Sequence, residues 1–248
     1  MEGIICNVVN IQEYTNPGSR PVNEDSAAVF ENPFGKCYVL CDGLGGHGMG
    51  DAASQLVVSK IGEQFAECDN ISEFIPTAIE YAQEQLLAQQ ERLHAQMKMK
   101  TTVVVIATDD KNAYIGHVGD SRAYVFYKNK VRFRTLDHSI PQMLVLTKEI
   151  KESEIRHHPD RSLLLRVMGT EWDEPKYEIE KPVALKKCQA LLLCSDGFWE
   201  LIDELQMCQS LKNSKSVQEW MDSMTQIIER NGKGTDMDNY TAIAVLNT

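Results

Sequence analysis

Four short segments of this chain each place an aspartate at the end of a predicted β-strand, usually beside a glycine. They cover residues 39–43, 117–121, 193–197 and 235–239, and their aspartates are Asp42, Asp120, Asp196 and Asp238. One Asp-Gly pair is usually only a turn. Four such endings instead favour a sheet edge where carboxylates converge and repel one another unless a cation is bound. Oxygen ligands select hard cations, so the pattern predicts Mg²⁺ or Mn²⁺ rather than zinc.

The hydrophobic pattern between these segments predicts two sheets faced by helices, an α+β layered architecture. Strands are predicted at residues 26–30, 36–41, 101–108, 113–118, 123–127, 131–135, 191–194 and 240–246, and helices at 51–67, 72–96 and 216–230. Ser72 is the predicted N-cap of the second helix. We find no repeat or linker, so one domain over residues 1–248 is expected.

The charge balance excludes one class of partner. The chain has 25 Lys and Arg against 36 Asp and Glu, a net charge of −11. Nucleic acid binding depends on neutralising phosphates with basic residues, so it is not expected. No apolar stretch approaches the roughly 20 residues of a membrane helix, and no secretory signal is recognisable. The seven cysteines form no C-x-x-C pair. Buried thiols in a reducing cytoplasm are therefore the expected state.

A further segment combines a guanidinium with an acidic pair. Arg20 precedes Glu24 and Asp25 by four and five positions. The planar guanidinium of arginine matches the oxygens of a phosphate group. Taken alone, the segment would be read as a solvated surface turn.

Together, these segments resemble the type 2C, metal-dependent serine/threonine protein phosphatases in their compact bacterial form. The matching parts are Arg20 with residues 23–26, then residues 41–50, 101–102, 119–124, 136–139, 158–159, 165–169, 195–200 and 238–241. Each motif alone is weak. They occur in the family's order over nearly the whole chain, and that ordered set is specific.

The resemblance implies an αββα sandwich with a binuclear Mn²⁺ or Mg²⁺ site at one end. It implies that Asp42 bridges both cations and that the Gly43 carbonyl binds one of them. Asp196 and Asp238 would complete the other cation's ligands. Further implied roles are water-mediated metal binding by Glu24 and Asp25, a third, weaker metal at Asp120, and phosphate binding by Arg20.

The resemblance also implies a reaction, in which a metal-bridging hydroxide attacks the phosphorus of phosphoserine or phosphothreonine. Residues at about 139–169 match a flap segment beside the active site. The implied partners are phosphorylated proteins, including a serine/threonine kinase, with no nucleic acid and no membrane. The chain is expected to act as a cytoplasmic monomer in signalling.

Two positions depart from the family pattern. Animal-type members have a histidine directly after the Asp-Gly pair as a candidate general acid, whereas this chain has Leu44. The nearest histidine is His47, so either His47 or a water molecule is the candidate proton donor. Lys100 stands where a glycine usually precedes the Thr-Thr pair, which we expect to be a loop detail.

Three functions other than phosphoprotein hydrolysis could involve the same residues: nucleotide binding, non-catalytic sensing and hydrolysis of a small metabolite. The glycine-rich residues 43–50 lack the Lys-Ser/Thr of a P-loop. A non-catalytic sensor with the same fold would be expected to have lost a bridging or terminal aspartate, yet Asp42, Asp196 and Asp238 are all present. Hydrolysis of a small phosphorylated metabolite at the same site stays open, because a metal centre recognises only the phosphoryl group.

Overall fold

The computed structural model describes residues 9–44 and 48–247. The strands are β1 Val9–Asn16, β2 Asp25–Asn32, β3 Gly35–Asp42, β4 Val103–Thr108, β5 Asn112–Val118, β6 Arg122–Tyr127, β7 Lys130–Arg134, β8 Glu178–Ile179, β9 Val183–Ala184, β10 Ala190–Cys194 and β11 Tyr240–Asn247. The helices are α1 Gly50–Ala66, α2 Ile71–Leu93, α3 Ile140–Leu146, α4 Asp196–Trp199, α5 Glu204–Asn213 and α6 Val217–Gly232, with short 3₁₀ helices at Glu152–His157 and Leu185–Lys187.

The strands form two antiparallel sheets. One has the order β1-β11-β10-β6-β7, and the other has the order β2-β3-β4-β5-β8, with β9 also pairing with β5. Strand β3 runs from Gly35 toward Asp42, with Asp42 directly opposite Asp25 on β2. The register therefore brings two of the carboxylates noted in the sequence to the same end of one sheet.

Three apolar clusters fill the spaces between four layers. The first lies between the β3–β4 region and helices α1 and α2, and includes Val39, Ile61 and Ile79. The second lies between the other sheet and helices α5 and α6, and includes Trp220. The third joins the two sheets and includes Leu40. Because alternate residues of a strand face opposite sides, Val39 and Leu40 contribute to different clusters. The predicted αββα sandwich is confirmed.

Local capping explains several helix boundaries. The side chain of Asn70 accepts a hydrogen bond from the Ser72 backbone, so α2 begins before the Ser72 that the sequence suggested as its cap. Its C-terminal cap is His94, with a left-handed φ of 51°. Ser216 caps α6 by accepting from the Glu219 backbone. Among the residues that the structure describes, no helix combines the length and hydrophobicity needed to cross a membrane.

Some elements were missing from the sequence prediction. Strand β1 is an edge strand that pairs along its whole length with β11. Its largely polar sequence does not show the alternating pattern of a strand. Only a few of its side chains, among them those of Ile11 and Tyr14, pack against a core cluster. The two-residue strands β8 and β9 are too short to produce a period-two pattern.

Candidate metal centre

A cavity of about 660 Å³ lies at the end of the sandwich where the aspartates converge. Its lining residues are Arg20, Pro21, Val22, Glu24, Asp42, Gly43, Leu44, Gly48, Asp51, Asp120, Ser162, Leu164, Asp196, Asp238 and Asn239. Four of its five aspartates come from strand ends. Asp42, for example, closes β3, and Asp238 lies just before β11. Of the predicted metal-binding and phosphate-binding residues, all of which the structure describes, only Asp25 lies outside this lining.

The backbone around Asp42 is fixed by the next strand of its sheet. The Thr102 hydroxyl accepts a hydrogen bond from the Asp42 N–H at 2.9 Å, and the Thr101 hydroxyl donates to the Asp42 carbonyl at 2.8 Å. The following residue must be glycine, because a Cβ on Gly43 would collide with the backbones of Gly50 and Glu24. The Thr-Thr pair and the glycine thus hold the central carboxylate in place.

Asn239 joins the segment carrying Arg20 and Glu24 to the start of β11. Its amide nitrogen donates to the carbonyls of Pro17 at 2.9 Å and Val22 at 3.0 Å. Its amide oxygen accepts from the Glu24 N–H at 2.8 Å. One buried side chain therefore positions residues more than two hundred places away in sequence.

The clustered carboxylates titrate far from their ordinary range. Burial raises the pKa of Asp42 well above its usual value, and the charges of Asp196, Asp25 and Asp120 raise it further. Burial, followed by the charge of Asp238, also raises the pKa of Asp196. Burial, followed by the charge of Asp196, likewise raises the pKa of Asp120. Without cations, this cluster retains protons that separate carboxylates would release.

Asp25 does not line the cavity but contacts Ser195, the residue that precedes Asp196. The Ser195 hydroxyl donates to Asp25 Oδ2 at 2.8 Å, whereas Asp25 Oδ1 is buried and has no hydrogen-bond partner among the described residues. Burial raises the pKa of Asp25 to about 7. A buried carboxylate oxygen without a donor is costly unless a cation or a cation-bound water satisfies it.

The residues present therefore fit hard divalent cations. The cavity offers carboxylate and carbonyl oxygens, and no sulfur or imidazole ligand lines it among the described residues. Such a donor set suits Mg²⁺ or Mn²⁺. Positive charge there would also relieve the repulsion that raises the pKa values of Asp42, Asp120 and Asp196.

Arg20 lies at the mouth of the cavity and binds an aspartate. Its Nε donates to Asp238 Oδ1 at 3.1 Å and its Nη2 to Asp238 Oδ2 at 3.2 Å, while Nη1 lies 3.4 Å from Asp236 Oδ2. The Arg20 side chain is 42% exposed. The guanidinium thus presents a free face to solvent beside the carboxylates, where a phosphate could meet it.

Two features of the site were not assigned from sequence. Asp51, in the first turn of α1, lines the cavity. Glu200, one turn after Asp196, binds Arg161 at 2.8 Å, and its burial raises its pKa to about 7. The only indication of their position in the sequence is that Asp51 follows Gly50 and that Glu200 lies four residues after Asp196. His47, the alternative proton donor, lies outside the described residues.

A second group of possible ligands, His117, His138 and Glu178, lies beside β5. The Gly119 N–H donates to His138 Nδ1 at 3.2 Å, so His138 Nε2 carries the proton and has no lone pair for a cation. His117 Nε2 donates to the Leu136 carbonyl at 2.7 Å. In this hydrogen-bonding state the group lacks a complete ligand set. It serves instead to fix the turn leading to Asp120.

Comparisons with known proteins agree with this geometry. The family described as protein phosphatase 2C matches residues 18–240. Serine/threonine phosphatase stp of Listeria welshimeri is 32% identical over 231 residues, which cover 90% of this chain and 89% of that protein. The crystal structure of serine/threonine phosphatase Stp1 from Staphylococcus aureus matches with a TM-score of 0.87 at 29% identity, covering 99% of each chain.

A more distant structure bears on the fold alone. The catalytic domain of serine threonine protein phosphatase PstP, crystallised in complex with two manganese ions, matches with a TM-score of 0.78 at 23% identity, covering 96% of this chain and 97% of that one. The family match and the similarity to stp extend over nearly the whole sequence. The chain therefore belongs to the protein phosphatase 2C family, and it is a serine/threonine protein phosphatase of this metal-dependent type, as the motifs in its sequence predicted.

Proposed function

We propose that this protein hydrolyses phosphoserine and phosphothreonine in proteins at a binuclear Mn²⁺ or Mg²⁺ centre. The observation that carries the proposal is the convergence of Asp42, Asp196 and Asp238 on one cavity, where the pKa values of Asp42 and Asp196 are raised above their usual range. When bound, two such cations lower the pKa of a bridging water and supply a hydroxide near neutral pH.

The proposed ligands follow the arrangement of the cavity. Asp42 lines the cavity and feels the charges of Asp196, Asp25 and Asp120, and it would bridge the two cations, with the Gly43 carbonyl on one of them. Asp196 and Asp238 would bind the other. Glu24 lines the same cavity, and the unpaired Asp25 Oδ1 lies close behind it, so both suit contacts through bound water. Asp120 would hold a third, weaker cation.

Arg20 is proposed to hold the substrate phosphate. Its guanidinium group donates hydrogen bonds to the Asp238 carboxylate. This pairing raises the pKa of Arg20, so the guanidinium stays positively charged. A cation on Asp238 would compete for the same carboxylate oxygens and free the guanidinium for phosphate. Charge on the phosphoryl oxygens is where catalysis of phosphoryl transfer mainly acts.

The proton for the leaving serine or threonine oxygen has two candidate sources. Among the described residues, no histidine lines the cavity. His47 and a bound water molecule therefore both stay as candidates. If the activity of a His47→Gln variant falls only at low and neutral pH, where a histidine can be protonated, the result would favour His47 as the proton donor.

The first test is metal-dependent release of phosphate from a phosphothreonine peptide. We expect activity with Mn²⁺, none with excess EDTA, and recovery when Mn²⁺ is restored. Arg20→Met should lower kcat/KM by about 10²-fold, because it removes a charged donor to the phosphoryl oxygens. Arg92→Met, on the exposed last turn of α2, is the matched control and should change nothing. A folded, Mn²⁺-binding protein that releases no phosphate would contradict the proposal.

The metal-free protein should lose stability as the pH rises from 6.5 to 8. Asp25 and Glu200 have folded-state pKa values raised to about 7 from 3.8 and 4.5. A raised carboxyl pKa stabilises the folded state below the unfolded pKa, and this contribution is lost as the pH passes through 7. The lowered pKa values of His117 and His138 act oppositely, but only below about 6.5.

The measurement is the Tm in EDTA across this pH range. A parallel series with saturating Mn²⁺ should show a weaker dependence, because bound cations favour the ionised carboxylates. A metal-free Tm that is constant or rises over the range would rule out the proposed titration.

The remaining proposals concern the domain organisation of the protein, its cellular location and its partners. We propose one catalytic domain over residues 1–248, with residues at about 139–169 as a flap beside the cavity. A cytoplasmic monomer acting in signalling, opposite a serine/threonine kinase, fits the acidic chain and its buried thiols, such as Cys41 and Cys194. Deleting the protein without any change in kinase phosphorylation would count against the kinase partner.

A further inference from the structure

The cavity that holds the carboxylates is also lined by four apolar residues, Pro21, Val22, Leu44 and Leu164, which are here called the apolar wall. Val22 is 51% exposed. An apolar side chain in solvent is unremarkable by itself. Here, however, apolar groups from three separate segments meet beside a cluster of acids, which is where a bound substrate would lie.

Hydrogen-bonded backbone carries both Val22 and Leu164. The carbonyl of Val22 accepts the Asn239 amide at 3.0 Å. Leu164 forms a bridge with Ser139, and the residues on either side of it are also held, by the contacts Ile140 N to Leu163 O at 3.0 Å and Leu165 N to His138 O at 2.7 Å. A contact surface fixed in this way loses little conformational entropy on binding.

A substrate chain must pass along the apolar wall. The phosphorylated side chain has to enter as far as Asp42 and Asp196, which leaves its backbone at the cavity mouth. An extended chain advances about 3.3 Å per residue, so the residues on either side of the phosphorylated one reach the cavity rim. Their side chains would contact Val22 or Leu164.

Two carboxylates near the wall disfavour acidic neighbours, and the nearby guanidinium groups of Arg20 and Arg161 are already paired with Asp238 and Glu200. Asp51 lines the cavity and is not among the proposed cation ligands, and Asp236 lies at its mouth beside Arg20. The chain as a whole carries a net charge of −11. A glutamate next to the phosphorylated residue would approach like charges and would not bury apolar area.

We propose that the apolar wall makes the enzyme select phosphoproteins with apolar side chains next to the phosphorylated residue and reject acidic ones. Val22 and Leu164 are the specificity-determining residues. This inference rests on the proposed function, since it concerns the substrate of the same site.

The test compares three phosphothreonine peptides that differ only at the positions before and after the phosphothreonine, with leucine, serine or glutamate there. For the wild type with Mn²⁺, kcat/KM should be about tenfold higher for the leucine peptide than for the serine peptide, and lowest for the glutamate peptide. Val22→Ser and Leu164→Ser should each reduce the ratio of the leucine to the serine peptide. Because the ratio is taken within one preparation, any inactive fraction cancels.

The matched control is Leu205→Ser. Leu205 is 75% exposed on α5, outside the cavity lining, and its replacement should leave the ratio at the wild-type value. If the wild type hydrolyses p-nitrophenyl phosphate, and hydrolyses the three peptides with equal kcat/KM, this inference is overturned but the proposed function is not. A wild type that hydrolyses none of these substrates would overturn both.

Discussion

Replacing Asp42 by asparagine is expected to abolish phosphate release and, in the metal-free protein, to increase the free energy of unfolding. Activity should fall by at least about 10³-fold, because asparagine cannot bridge two cations as a carboxylate does. The free energy of unfolding should rise by about 1–3 kcal/mol, because burial and the charges of Asp196, Asp25 and Asp120 destabilise the ionised Asp42 carboxylate in the folded state. Asparagine keeps a hydrogen-bonding side chain of the same size without the charge.

Two measurements check these opposite effects: phosphate release with Mn²⁺, and urea unfolding in EDTA. Addition of Mn²⁺ should raise the Tm of the wild type but should raise that of Asp42→Asn much less. Asp110→Asn is the control, since Asp110 is exposed in the β4–β5 turn at the opposite end of the sheet. A variant that is both inactive and less stable in EDTA would mean that Asp42 has a structural role, and the metal-bridging assignment would be wrong.

Four of the five aspartates that line the cavity could be predicted from the sequence, because each of the four ends, follows or precedes a strand whose pattern is local. The sequence could not predict how Arg20 and Glu24 reach them. Their position depends on hydrogen bonds made by Asn239, more than two hundred residues away, and no local pattern records such contacts. Asp25 was also named from the sequence, but its contact with Ser195, which joins the two sheets, could not be predicted for the same reason.

The fold shows the same division. The long helices α1, α2 and α6 were predictable because their apolar residues repeat at helical spacing. Edge strand β1 was not, since its pairing with β11 is supplied by the far end of the chain. Arg122, which belongs to the predicted motif at residues 119–124, is buried and does not line the cavity.

Arg122 is the centre of a buried ionic contact under the site. Its Nε donates to Asp137 Oδ1 at 2.8 Å and its Nη2 to Asp137 Oδ2 at 2.6 Å, and the side chains of both residues are at most 2% exposed. The guanidinium also lies 3.4 Å from the centre of the Trp199 ring. Trp199 in turn donates to the Asp120 carbonyl at 3.0 Å. The pair therefore supports the backbone that carries Asp120.

Replacing Asp137 by alanine should cost about 3–5 kcal/mol of unfolding free energy, because it leaves the Arg122 guanidinium buried without its carboxylate. The double change Arg122→Met with Asp137→Leu should cost less, since it removes both charges and keeps apolar volume. Glu63→Ala, which breaks the exposed pair with Lys60, should change stability little. Urea unfolding of the three variants with saturating Mn²⁺ measures the differences. If Asp137→Ala were no more costly than Glu63→Ala, solvent or another carboxylate would have to satisfy Arg122, and the pair would not be what holds the turn at Asp120 in place.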